Sequence, residues 1–475
     1  MSASHPVSFR DDPRNYFAQS ITRMHTIDRS ELEQMQLDAL RTRVGEHLDS
    51  IEMAANLARR VGVGATDIAA FDDVAPLLFA HTVFKSYPST LIVNKRFDLM
   101  TSWLNKQTSY DLSHVDTDGC ASIDEWIDRL DAQTPLQAIT SSGTTGTISI
   151  IPKSKHGAAE NMRLWRLFLF QRFGVEPTPE VLTGAVDVVW PNYARGKLGH
   201  LRMAEMLRNE FTGNDPARFH ALYDDAISSD LLFLYSQMRA AASRGELDTV
   251  KVDPELAARR VEFEAMQANQ QQAMSDFFGR LTRELRGQKV FMTSAYPVMF
   301  HLARSGLDAG ISGVFHPDSA ILVGGGTKGF VLPPDFMDTI REFLGVPVLQ
   351  EGYGMSEISA LHWACELGKY HVQPWVIPFV LDPDTSAPLP RVGVTTGRAA
   401  FFDLMNESHW GGIISGDEIT IDWSTPCRCG RTSVAIEHDI MRYSEKAGID
   451  DDRISCSATE QVHSEVVEFL RTVNV

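Results

Sequence analysis

Residues 138–155 read A-I-T-S-S-G-T-T-G-T-I-S-I-I-P-K-S-K, and this stretch decides how the rest of the chain is interpreted. Ser141, Ser142, Thr144, Thr145 and Thr147 carry hydroxyls, Gly143 and Gly146 let the backbone turn tightly, and no bulky side chain intervenes. Successive N–H and O–H donors in such a loop can converge on one anion, so the segment reads as a phosphate cradle. A plain polar surface loop is the alternative, because Gly, Ser and Thr are ordinary turn residues. The G-x-x-x-x-G-K-[ST] spacing of a Walker loop is absent, since Lys153 comes too late after Gly146, and so is a dinucleotide fingerprint.

Around this loop the pattern alternates. A strand end at 148–151 leads into an apolar helix over about 156–173, stopped by Gly174. Short apolar runs at 186–190, 289–292, 321–323 and 346–349, separated by helical stretches, predict an α/β fold with β-sheets flanked by helices and ligands gathered at strand ends. The first part of the chain reads as mostly helical, with Ser30 and Glu33 as a capping box, a second helix at 53–61, and Ser122 with Glu125 as another cap. Residues 215–286 read as an almost uninterrupted helical insertion, with Asp253-Pro254 as a cap and first-turn pair. The polar run 267–272 within it is a solvated face or a subunit contact. Residues 374–430, rich in Pro, Gly and β-branched residues, predict a small β-rich subdomain, and 431–475 hold little core of their own.

A chain of 475 residues with 43% hydrophobic content can bury a large core. The 44 basic and 62 acidic residues leave a net charge of −18, which disfavours nucleic acid and anionic membrane as partners. No apolar run is long enough for a membrane span, and residues 1–15 are polar, so a cytoplasmic location is expected. An anionic nucleotide would need local positive charge, which Lys153, Lys155 and Lys328 can supply.

Further along, residues 351–357 read E-G-Y-G-M-S-E, residues 415–417 read S-G-D, and C-R-C-G-R follows at 427–431. In this order, after S-S-G-T-T-G, they resemble the adenylate-forming ligases: acyl-CoA synthetases, peptide-synthetase adenylation domains and luciferases. The nearest resemblance is to phenylacetate-CoA ligases, carried by an early helix at 30–36, the Y-G-M-S-E turn at 353–357 and P-C-R-C-G-R-T at 426–432. It covers most of 27–432, with 215–286 poorly matched.

The resemblance implies a large adenylation domain over 1–430 and attack of a carboxylate on the α-phosphate of ATP, giving an acyl adenylate and pyrophosphate. Such a displacement needs positioned donors and cations rather than a covalent residue. Ser141, Ser142, Gly143, Thr144, Thr145, Gly146 and Thr147 would hold the β- and γ-phosphates, with Thr144, Thr145, Lys153 and Glu357 acting on the reacting group. Glu357 matches a glutamate linked to Mg²⁺, a cation that prefers hard oxygen ligands. Tyr353 and Gly354 would lie against adenine, Asp417 would accept from both ribose hydroxyls, and Arg431 would sit near ribose or phosphate. Gly325, Gly326, Thr327 and Lys328 match a glycine-containing turn beside adenine and the acyl pocket. Ser294, Ala295, Tyr296 and Met355 would border the carboxylate. Out of context, Glu357 and Asp417 are solvated turn carboxylates and Tyr353 a half-buried aromatic. His362 and Trp363 make an aromatic or polar acid plausible, or are packing residues.

Cys120, Cys365, Cys427, Cys429 and Cys456 do not form a disulfide framework. Cys365 with His371 and Cys427 with Cys429 could converge as a Cys₃His zinc site, which the resemblance supports; free core thiols are the alternative. A family hinge can be laid on 448–452, with Ile449 in place of its arginine, but the lysine-bearing end of the family's mobile domain has no counterpart. Residues 431–475 are therefore expected to be a hinge and a remnant of a truncated domain, with Lys446 a solvated tail lysine or a substitute carboxylate contact. The implied reaction passes a small, perhaps aromatic, acid to CoA, an amine or a carrier protein, with a homodimer expected. The rival reading is a noncatalytic nucleotide-binding relative.

Overall fold

In the computed structural model the described residues are 7–141, 146–324, 331–423, 426–446 and 459–472. The expected cradle residues Ser142, Gly143, Thr144 and Thr145, the turn residues Gly325, Gly326, Thr327 and Lys328, the hinge 448–452 and Cys456 lie outside them.

The strands are β1 (Phe79–Ala80), β2 (Leu136–Ser141), β3 (Ser149–Ser154), β4 (Asp187–Gly196), β5 (Phe219–Ile227), β6 (Val290–Ala295), β7 (Ala320–Gly324), β8 (Gln350–Gly354), β9 (Leu361–Ala364), β10 (Tyr370–His371), β11 (Val376–Leu381), β12 (Val394–Asp403), β13 (Gly412–Asp422), β14 (Ala435–Ile436) and β15 (Met441–Arg442). Among the described residues, thirteen of them form one sheet in the order β11-β12-β13-β14-β10-β9-β8-β7-β6-β4-β5, with β1 and β15 laid along β13. The pair β2 and β3 is a separate hairpin.

From β5 to β8 the strands run parallel. Val188, Val189, Phe291, Met292, Ile321 and Val323 are fully buried there, as strands covered by helices on both faces require. The helix Lys155–Phe170 packs on β7 and the helix Tyr296–Asp308 on β6. At β8 the sheet changes sense, because β9 is antiparallel to it. The stretch 374–430, expected as a small subdomain, supplies β11, β12 and β13, which continue this same sheet. Along β13 buried residues alternate with half-buried ones, the pattern of a strand with one face on the core.

The β2–β3 hairpin stands on two apolar clusters. Leu136, Ala138, Ile148 and Ile150 face a cluster with Trp126, Phe97 and Leu130, whereas Ile139 and Ile151 face Phe84 and Ile413. Period-two alternation thus clamps both sides of the stem that carries the Ser141–Thr147 loop.

Several local readings change. The helix expected from a Ser30–Glu33 box is Arg29–Ser50, capped by Asp28, whose carboxylate accepts from the Ser30 and Glu31 N–H groups; a charged acceptor two residues earlier outcompetes the hydroxyl. Residues 215–286 are not helical throughout, because β5 lies within them and pairs in parallel with β4. The run F-H-A-L-Y-D-D-A-I is compatible with either period, and sheet pairing decides it. The strand read at 346–349 lies instead at Gln350–Gly354, so Tyr353 is on a strand rather than in the following turn. The cap at Asp253 forms as read; at Ser122 the hydroxyl accepts from the Glu125 N–H, but the Glu125 carboxylate accepts from the Ala121 N–H instead of closing the box.

The helix Thr459–Thr472 buries Val462, Val466, Val467 and Leu470 against the helices Arg260–Ala268 and Ser229–Ala242. Gln267, from the polar run, donates to Ser464 Oγ at 2.9 Å. No helix among the described residues is long and apolar enough to cross a membrane.

Where the helix Tyr296–Asp308 crosses the helix Phe336–Leu344, a Cβ on Gly306 would overlap the Phe343 ring. Alanine would gain about 1 kcal/mol of helix propensity, but overpacking costs about 1–3 kcal/mol. Gly306→Ala is therefore expected to lower the urea midpoint, and Phe343→Leu in the same chain to restore part of it.

Candidate functional site

Three parallel strands end side by side: Ala295 of β6 pairs with Gly324 of β7, and Gly324 with Gly352 of β8. This C-terminal edge is where an open α/β sheet leaves its crevice. The backbones approach closely, since a Cβ on Gly324 would stand 3.0 Å from the Gly352 carbonyl. Ser294 and Ala295, expected to border an acid, close β6, and Tyr296 opens the next helix. The Tyr296 hydroxyl donates to Glu351 Oε2, which also lies 3.0 Å from His438 Nε2, and His438 stacks on Tyr370. Burial and the Glu351 charge raise the Tyr296 phenol above its ordinary range.

Tyr353 and Asp417, read from two distant motifs, are brought together. The Tyr353 hydroxyl donates to Asp417 Oδ2 at 2.8 Å, although β8 and β13 are separated by β9, β10 and β14. Asp417 is 9% exposed, and its own N–H donates to Ser415 Oγ at 3.0 Å. Arg442 Nε lies 3.4 Å from Asp417 Oδ1, held there because β15 pairs Arg442 with Asp417. Burial and the adjoining carboxylate raise the Tyr353 phenol well above its usual range.

Arg431, expected beside ribose or phosphate, is engaged elsewhere: its guanidinium meets Glu366 at 2.8 Å and lies 4.2 Å over the Phe173 ring. The guanidinium beside Asp417 belongs to Arg442, which the sequence did not single out. Its only local signal is a two-residue strand in a polar tail, and strand pairing is not visible there.

Lys153, on β3, reaches Ser359 Oγ at 3.5 Å. Burial lowers its ammonium from 10.5 to about 8, against the opposing charges of Asp403 and Glu357. Asp403, fully buried at the end of β12, accepts from the Ser359 N–H at 2.6 Å and the Met405 N–H at 2.9 Å. Like Arg442, it escaped the sequence reading. Glu357 follows β8, and its carbonyl lies 3.1 Å from His409 Nε2. Met355 and Lys153 both line a cavity of about 150 Å³ between the hairpin, the helix Gly199–Glu210 and residues 355–359.

Lys155, the alternative charge, instead donates to the carbonyls of Asp131 and Thr134, capping the end of the helix Ile123–Gln133 as a cation at a C-terminus does. Gly146 has φ +84°, the left-handed region that favours glycine, and its carbonyl accepts from Gln237 Nε2. Ser141 pairs with Ser149 at the hairpin's end, and Thr147 is half-buried. Gly354 closes β8. Trp363 stacks on Phe168 and His362 is fully buried, so both are packing residues. Lys446 pairs with Glu418.

A second centre forms from Cys365, His371, Cys427 and Cys429, whose ligand atoms all lie within 4.8 Å of one another. Cys365 Sγ is 4.0 Å from Cys427 Sγ, and Cys429 Sγ is 3.4 Å from His371 Nε2. The other nitrogen, His371 Nδ1, is 2.9 Å from Ser433 Oγ, which lies 2.8 Å from His25 Nδ1. Burial lowers His371 to about 4 and raises Cys427 to about 11. Cys120 is buried in the Trp126 cluster, away from this centre.

No family model and no curated protein matches the chain. Solved structures do. An open conformation of 2-hydroxyisobutyryl-CoA ligase in complex with 2-HIB-AMP and CoA is 12% identical, with a TM-score of 0.51 over 88% of this chain and 76% of that one. The same ligase in its thioesterification state is 13% identical, with a TM-score of 0.51 over 88% and 70%. At this identity the likeness is one of fold, and it bears out a mixed α/β architecture with a large sheet flanked by helices.

The Lys153 ammonium carries a pH signature. Because its folded value near 8 lies below 10.5, the unfolded chain binds more protons between these limits and stability rises with pH across them. Lys153→Met lacks this rise. Urea midpoints of both proteins at pH 7.5 and pH 10 are expected to show the variant's advantage shrinking at the higher pH.

Proposed function

We propose that this chain is an ATP-dependent ligase that activates a small carboxylic acid as its acyl adenylate and passes the acyl group to an acceptor. The observation that carries the reading is the Tyr353–Asp417 pair beside the C-terminal edge of β6, β7 and β8. A buried carboxylate held by a phenol and a guanidinium is a ready acceptor for two vicinal hydroxyls. The sequence-level resemblance to phenylacetate-CoA ligases supports the finer assignment.

In this reading the acid's carboxylate oxygen attacks the α-phosphorus of ATP, the bond to the β-phosphate oxygen breaks, and pyrophosphate leaves. Asp417 orients the ribose, Tyr353 flanks adenine, and Arg442 lies beside them. Residues 141–147 take the outer phosphates; Lys153, paired with Gln137, stands toward the opposite end of the hairpin. Glu357, a hard oxygen donor on the turn after β8, would hold Mg²⁺, which supplies charge neutralisation at the polyphosphate. The acceptor, whether CoA, an amine or a carrier protein, then displaces AMP from the acyl carbon.

The Cys365, His371, Cys427 and Cys429 set suits Zn²⁺: three soft thiolates and one imidazole at spacings compatible with a tetrahedral ion. It would tie the β9–β10 turn to the loop before β14. Elemental analysis of tag-free protein is expected to find about one zinc per chain, and Cys427→Ser with Cys429→Ser to remove it and lower the thermal midpoint. Absence of zinc would assign these thiols to the core.

Carboxylate-dependent ATP–pyrophosphate exchange across an acid library tests the main reading, because it needs only the first half-reaction. Asp417→Ala is expected to lower exchange by roughly 100-fold, the loss of two hydrogen bonds to a charged acceptor. Tight ATP binding without exchange for any acid would leave the noncatalytic nucleotide-binding reading in its place.

A further inference from the structure

Lys153 carries a charge that the fold leaves unanswered. Its side chain is half-buried and stands away from the loop end of the hairpin, where Ser141 pairs with Ser149. The ammonium reaches the Ser359 hydroxyl at 3.5 Å, and among the described residues it forms no ion pair. Asp403 and Glu357 act on it by charge from beyond ion-pair distance, and Asp403 is already spent on the Ser359 and Met405 N–H groups. A cation this far from bulk water is ordinarily paired. Lys153 and Ser359 both line the cavity of about 150 Å³, and an anion held there would supply the missing partner.

The rest of the lining defines what accompanies the anion. Among the described residues, the other charged side chains there are Arg202 and Glu407. Arg202 is paired with Asp131 and with Glu205 at 3.4 Å. Glu407 accepts from the Ser154 hydroxyl, which caps the helix Lys155–Phe170, and a carboxylate at a helix start is favoured by the helix dipole. Neither calls for a second charged group on the occupant. Ile139, Met162, Met203, Met206, Met355 and Ile358 supply an apolar wall, and thioether side chains adapt to an occupant's outline. The volume is that of an apolar protein cavity that takes up benzene.

Resting on the adenylation reading, we infer that Lys153 receives the carboxylate of the acid and that this cavity holds its body, so that the acid is a monocarboxylate whose remainder is uncharged, apolar and no larger than about one ring. With one carboxylate oxygen on the Lys153 ammonium, the other is left to attack the α-phosphorus.

Three probes test this in titration calorimetry of the full chain without ATP: benzoate against benzamide reads the charge, and benzoate against 2-naphthoate reads the size. Benzoate is expected to bind at least ~10-fold tighter than either, the first ratio from a charge-assisted hydrogen bond and the second from overpacking. Lys153→Met, which keeps the length of the side chain and removes its charge, is expected to bring benzoate within about threefold of benzamide while benzamide still binds. Met206→Trp, which narrows the cavity from the other side, is a second variant should the first fail to fold, and is expected to weaken benzoate by at least ~10-fold. Equal binding of benzoate and benzamide, 2-naphthoate as tight as benzoate, or binding of none of the three overturns the inference. ATP–pyrophosphate exchange with the two acids reads the chemistry separately. Exchange with benzoate binding that Lys153→Met leaves unchanged keeps adenylation and removes the Lys153 assignment, whereas the two preferences without exchange support the pocket and remove adenylation.

Discussion

A carboxylate that is nine-tenths buried needs hydrogen-bond partners to replace water, and Asp417 finds them in two places that the chain reaches by different routes. Tyr353 comes from the parallel half of the sheet and Arg442 from the strand that follows the cysteine loop. Tyr353 stands on β8, where the sheet changes from parallel to antiparallel, and the register of β15 on β13 sets Arg442 opposite Asp417.

The parts of this arrangement legible in the sequence were those whose chemistry is local. The caps at Ser122 and Asp253 and the apolar runs of the parallel strands each announce themselves within a few residues. Convergence of Cys365, His371, Cys427 and Cys429 was readable because thiols are rare enough in this chain for their spacing to stand out. What escaped was decided by pairing across long sequence distances. A strand at Phe219–Ile227 is indistinguishable from a helix until β4 is beside it, and Arg442 is one arginine among many until register places it on Asp417. Arg431 and Lys155 show the converse: each looked like a charge for phosphate, and each is committed to a neighbour, Glu366 in one case and the end of a helix in the other.

The helix Ser229–Ala242 supports two things at once. Its Gln237 holds the Gly146 carbonyl at the edge of the glycine-rich loop, and its flank receives the helix Thr459–Thr472. A substitution that shifts this helix therefore acts on Gly146 and on the last helix together. Gly146 and the last helix thus share one support, although all but one strand of the large sheet separate them in sequence.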